Sequence, residues 1–137
     1  MIDHSGKIFP RPSPETAVYW DACREHKLMI QQCNDCHHYQ FYPRIMCTKC
    51  MSPEVEWVNA SGTGRVLSFT IVRRPVSKAY ADETPYVVAL IKLDEGPCMM
   101  SNIVEYDVDS VKIDMRVEVL FEDWNEEISM PKFRIVE

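Results

Sequence analysis

The chain has no long apolar run, no surplus of positive charge, and no internal repeat or low-complexity segment. Each absence removes a class of function. The longest uninterrupted apolar stretch, Tyr86–Ile91, is six residues, far short of the ~20 that a membrane-spanning helix needs. The opening MIDHSGKIFPRP carries Asp3 and Pro10 but no apolar core, so it does not read as a secretory signal. Lys and Arg number 15 against 21 Asp and Glu, a formal charge of −6, and residues 61–137 alone hold nine basic against fourteen acidic side chains. Nucleic-acid binding rests on a basic footprint, and this balance disfavours it. What is present, 46% apolar and 26% charged residues among 137, is the composition of one ordinary globular domain or a small one with an appended module.

Cysteine is where the chain is rich. The stretch Cys33–Cys50, CNDCHHYQFYPRIMCTKC, holds two Cys-x-x-Cys pairs separated by ten residues. Tetrahedral zinc takes four soft ligands, and a tight Cys-x-x-Cys turn aims two sulfurs at one ion. The doubled spacing points to a structural Zn²⁺ held by Cys33, Cys36, Cys47 and Cys50. Two other chemistries compete. Disulfides Cys33–Cys50 and Cys36–Cys47 would suit a secreted chain, but nothing else in the sequence suggests one. A redox pair of the thioredoxin kind comes singly, beside a strand–helix unit. Reduced thiols place the expected compartment in the cytoplasm. Four thiolates also fill the coordination sphere, leaving no open position for water or substrate, and with the ion they take the net charge to about −8.

The sequence divides into an N-terminal arm and helix (1–29), the zinc ribbon (30–60) and a β-rich remainder (61–137). Residues 1–12 read as an extended arm, with Pro10 and Pro12 opposing a helix. Ser13 then suits an N-cap and Pro14 the first position of a helix running to His26. Its Tyr19 and Trp20 serve either internal packing or a partner-facing aromatic patch. Short strands are expected at Leu28–Ile30, Gln40–Ile45 and Val55–Val58. From Gly62 the pattern changes. Arg65–Val72 alternates, with Leu67, Phe69 and Ile71 on one face, and the strand runs on through Arg74 until Pro75 stops it. Tyr86–Leu93 and Pro97–Glu105 make a hairpin about Asp94-Glu95-Gly96. Val117–Phe121 and Phe133–Val136 add two strands. Five strands of this size fit a small antiparallel barrel of the OB type, with a sandwich nearly tied on pattern alone.

Several motifs occur in a specific order: Lys27-Leu28 before Gln32-Cys33, Pro43-Arg44 between the Cys pairs, then Ser61-Gly62-Thr63-Gly64, Pro85-Tyr86-Val87-Val88-Ala89 and Leu93-Asp94-Glu95-Gly96-Pro97. In these the chain, from Trp20 to Phe133, resembles the zinc-ribbon OB-fold proteins associated with acyl-CoA enzymes, long labelled a domain of unknown function. The resemblance implies a mainly β fold: an N-terminal helix, a rubredoxin-like zinc ribbon and a C-terminal five-stranded OB-fold barrel. It implies a non-catalytic subunit of a hetero-oligomer, bound to a thiolase-fold catalytic subunit that acts on acyl-CoA thioesters. The ribbon would dock that partner and the barrel would help enclose acyl-CoA, while the catalytic Cys and His belong to the partner. Synthases, aldolases and hydratases of CoA thioesters are the other partners such proteins are similar in having. Two positions depart from the family pattern. His37 stands where Gly usually follows the second ligand, and Asp114 where Gly is common before the fourth barrel strand, so both fall where a left-handed backbone is expected.

The chain's own residues offer no catalytic constellation, since no nucleophile is paired with a base. Cys23 and Cys98 read as buried structural thiols. His37 and His38 adjoin a complete Cys set, His26 lies near a helix end where a cation suits the dipole, and His4 lies in the arm. Glu122-Asp123 and Glu126-Glu127 read as a solvated loop. Arg73, Arg74 and Lys78 are candidate contacts to the phosphates of CoA, with ordinary surface charge as the alternative; adjacent strand residues face opposite ways, so at most one Arg points at a given ligand. The rival functions are a nucleic-acid-binding module and a stand-alone acyl-CoA hydrolase.

Overall fold

The computed structural model describes residues 4–137; the first three residues of the expected arm, Asp3 among them, lie outside this range. The helix α1 spans Ala17–Arg24, shorter at both ends than the sequence suggests. At its start the Thr16 N–H donates to the Ser13 carbonyl at 3.0 Å and the Ser13 N–H to Thr16 Oγ1 at 2.8 Å. This closes Pro14 and Glu15 into a turn and delays the helix by one turn. At its end His26 takes φ 60°, and the His26 and Lys27 N–H groups donate to the Cys23 and Ala22 carbonyls. That is a Schellman stop with His in the position glycine usually holds. Tyr19, Trp20, Ala22 and Cys23 are the buried face, and it packs against strands of both sheets. Internal packing is thus the role of Tyr19 and Trp20, while Val18, at 44% exposure, faces outward.

The ribbon carries a three-stranded antiparallel sheet, β1 (Met29–Cys33), β2 (Tyr39–Gln40) and β3 (Val55–Asn59), in the order β2-β1-β3. The expected strand Gln40–Ile45 shrinks to two residues, because side chains replace the ladder. Gln31 brackets Arg44, accepting from its N–H at 2.8 Å and donating to its carbonyl at 2.9 Å. Gln40 donates to Gln31 Oε1 and the Met46 carbonyl and accepts from the Thr48 N–H. Both glutamines are buried, so their amides must be hydrogen-bonded, and here they pin the excursion between the two Cys pairs.

β4 (Thr63–Val72), β5 (Tyr86–Leu93), β6 (Cys98–Val104), β7 (Arg116–Asp123) and β8 (Ser129–Ile135) close into a barrel in the order β4-β5-β6-β8-β7. Only the β6–β8 pairing is parallel. Closure removes the edges a sandwich would keep. The core holds Val66, Val87, Ile91, Leu93, Val117 and Phe133, each no more than 1% exposed. The β4 pattern is out of phase with the simple alternation. A bulge between Val66 and Ser68 leaves Leu67 without a partner and 44% exposed while Val66 is fully buried, since one extra residue reverses the side-chain phase. β4 stops at Val72, short of Arg73 and Arg74. Residues 78–83 of the following loop form a 3₁₀ helix. His37 and Asp114 adopt φ 64° and 72°, the left-handed backbone expected at both. Among the described residues no helix is long and apolar enough to cross a membrane.

Candidate metal centre and aromatic cleft

Both Cys-x-x-Cys turns have the same construction. In the first, the Asp35 and Cys36 N–H groups point at Cys33 Sγ, each at 3.4 Å. In the second, those of Lys49 and Cys50 point at Cys47 Sγ at 3.3 and 3.4 Å. Each turn then closes through a left-handed residue, His37 or Met51, whose N–H returns to the carbonyl of the first Cys at 3.0 or 2.9 Å. These donors favour thiolate. The Cys36 N–H is the main cause of the lowered pKa of Cys33. The Cys50 N–H is the main cause at Cys47, lowered to about 6, whereas burial and the neighbouring sulfurs raise Cys36 and Cys50 in the metal-free cluster; thiolate is the form that binds metal.

The four sulfurs lie within 4.8 Å of one another, with Cys33 and Cys50 3.6 Å apart and Cys36 and Cys47 3.5 Å apart. A tetrahedron with Zn–S bonds of ~2.3 Å has edges of ~3.8 Å, so the donor set fits zinc. A disulfide requires ~2.05 Å, and all four are free thiols. Cys33 and Cys47 are buried while Cys50 is exposed, so the cluster lies at the surface. Around it, Ile45 and Met51 are 66% and 71% exposed.

Arg73, Arg74 and Lys78 are all exposed. Arg73 forms a 2.8 Å ion pair with Asp109. Of the other residues singled out, Cys23 is fully buried and burial pushes its thiol up to about 12, as suits a structural Cys. Cys98 is exposed, because it faces out of the barrel at the start of β6. Glu122 and Asp123 are not a solvated loop but the end of β7. Asp123 accepts from Ser129 Oγ at 2.5 Å and pairs with His26 Nε2 at 2.8 Å, and Glu122 accepts from Trp124 Nε1 at 3.1 Å.

A cavity of about 480 Å³ opens between α1, the ribbon and the outer surface of the barrel. Tyr19, Trp20, Phe41, Tyr42, Tyr80, Tyr86 and Trp124 line it, together with Lys132 of β8. Trp20 Nε1 donates to Tyr42 Oη at 3.1 Å. Lys132 is 6% exposed; its Nζ donates to Asn102 Oδ1 at 2.6 Å and lies 3.9 Å from Glu122. Burial lowers its pKa against the raising effect of Glu122. Nothing in the sequence marks this lysine. It follows Pro131 on a strand whose Phe133 faces the core, so alternation assigns it to solvent, yet Asn102, Glu122 and the Trp124 ring, 5.8 Å from its Nζ, gather around it from other segments.

Two family models match consecutive stretches of the chain: the ChsH2 rubredoxin-like zinc ribbon domain over residues 20–56 and the ChsH2 C-terminal OB-fold domain over residues 57–122. The chain is also 34% identical to a DUF35 domain-containing scaffold protein of Methanothermobacter thermautotrophicus, over 76% of its own length and 78% of that protein. The chain belongs to the DUF35 family. This DUF35 chain is likewise 34% identical to a probable enoyl-CoA hydratase alpha subunit of Thermomonospora curvata, over 91% of its length but only 39% of that subunit. Among solved structures it superposes on a chain of the Ltp2-ChsH2(DUF35) aldolase with a TM-score of 0.83 and 32% identity, covering 93% of this chain and 98% of that one.

Proposed function

We propose that this chain is a non-catalytic subunit of a hetero-oligomer acting on acyl-CoA thioesters. In it Cys33, Cys36, Cys47 and Cys50 ligate one structural Zn²⁺, whose role is to hold the two turns together. The observation that carries the reading is the near-complete superposition on the DUF35 chain of the Ltp2-ChsH2 aldolase; the names scaffold protein and alpha subunit among its relatives agree with it. The ribbon and α1 form the docking surface for a thiolase-fold catalytic subunit. Ile45, Met51 and Val18 there are exposed, and large exposed apolar side chains on neighbouring elements suit a protein interface. The barrel helps enclose acyl-CoA. Arg74 and Lys78 are open to CoA phosphates, and Arg73 could exchange its exposed Asp109 for a phosphate at small cost, since such surface pairs contribute ~0–1 kcal/mol.

An aldolase or hydratase subunit is the second reading of the partner, favoured by the names of the same relatives. Co-expression with each candidate catalytic chain, followed by light scattering and an acyl-CoA assay, separates these readings. A stable complex with the thiolase-fold chain, active where neither chain is active alone, is the expected result. A monodisperse single chain beside a fully active partner would refute the proposal.

A further inference from the structure

The arm ahead of α1 is not a loose extension. Lys7 is buried, its side chain fully so, and its Nζ lies 2.5 Å from Glu83 Oε2 and 2.7 Å from His4 Nδ1. The same ammonium stands 5.0 Å from the Tyr80 ring centroid and 4.9 Å from that of Trp124. Tyr80 and Glu83 belong to the 3₁₀ helix 78–83; Trp124 follows β7. One arm cation therefore bridges two segments distant in sequence. Trp124 is gripped by the arm twice more, stacked on His4 at 5.1 Å and met edge-on by Phe9 at 5.3 Å.

Trp124 has a second property. Together with Trp20 it lines both the aromatic cleft and a neighbouring cavity of about 1100 Å³, which lies between the arm, α1 and the turn after β7. Tyr80 and Glu83 line the cleft as well. A buried cation is costly unless paired and hydrogen-bonded, and cation–π contacts gain strength when desolvated. The Lys7 site satisfies both conditions only while arm, 3₁₀ helix and Trp124 stay together.

We propose that residues 4–12 are a strap: Lys7 clamps the 3₁₀ helix 78–83 to Trp124, and so holds shut the partition between the two cavities. With the strap released, Trp124 loses three of its ring contacts and the cavities can join along Trp20. The strap is a conformational device of this chain and does not depend on which partner it meets.

Hydrogen exchange on the full chain, purified with zinc, tests this. Lys7→Met keeps the apolar stem and removes the charge. It is expected to speed exchange about tenfold or more at residues 78–84 and at 123–128, leaving β5 and β6 unchanged, as local opening does. Glu83→Gln, which does not touch Trp124, should also loosen 123–128, because the coupling runs through Lys7. This second variant decides the matter if Lys7→Met fails to fold. Unchanged exchange at 123–128 in Glu83→Gln, or in a folded Lys7→Met protein, overturns the strap.

Discussion

A Cβ added at Gly64 would stand 2.4 Å from the Lys92 carbonyl oxygen and 3.1 Å from Leu93 Cα. Both are backbone atoms of β5, fixed by the ladder in which Gly64 pairs with Leu93, so neither can swing aside. Gly64→Ala is therefore expected to destabilise the barrel by about 1–3 kcal/mol or more, the usual range for overpacking, as read from urea midpoints. Asp94, on the same hairpin, accepts two 2.8 Å hydrogen bonds from Arg116, which together with Thr63 hold its carboxyl down to about 2. A depressed carboxyl contributes stability above its unfolded pKa of ~3.9 and loses it as pH falls through the folded value. The pair is exposed, so the contribution is under about 1 kcal/mol. Asp94→Asn should remove that small loss between about pH 4 and pH 2 in thermal melts, and an unchanged acid limb would contradict the assignment. Which residues were legible in sequence follows from how local their chemistry is. The four cysteines announce themselves because each pair acts within one turn. Lys7, Glu83 and Lys132 do not, because their burial is created by elements far away in the chain.

At the scale of elements, the ribbon and the barrel rest on different physics. The barrel buries its own apolar row and closes its own hydrogen bonds. The ribbon's short sheet leans on two buried glutamines and on the sulfur cluster, and structural zinc sites carry ~10–16 kcal/mol of apparent binding energy. Cys47→Ser, or removal of the metal by a chelator, is expected to open the ribbon and release the partner while the barrel's β signal in far-UV circular dichroism persists. Joint, cooperative loss of both would show that they are one folding unit. Periodicity revealed the barrel strands because alternation is a property of each strand alone. It misplaced Leu67, where a bulge reverses the phase, and it overextended Gln40–Ile45, where side-chain amides do the work of a ladder. The helix ends were missed for the same reason: Thr16 and His26 bend the chain through backbone hydrogen bonds that composition does not display.

For the whole molecule, the aromatic cleft exists only because α1 and the ribbon fold back over the outer face of a barrel that is already closed. Its aromatic residues range along the chain from Tyr19 to Trp124, and its buried lysine comes from the last strand. No local pattern assembles it, whereas the order of motifs from Trp20 to Phe133 makes the family legible in the sequence. On the function proposed above, this assembled surface belongs to a subunit and meets a catalytic chain. Mass determination by light scattering on the chain co-purified with its thiolase-fold candidate tests it most directly. One species with the summed mass of both chains is expected, and it dissociates when Cys47 is replaced by Ser. Two separate peaks from the unaltered proteins, with full acyl-CoA activity in the partner's peak alone, would contradict it.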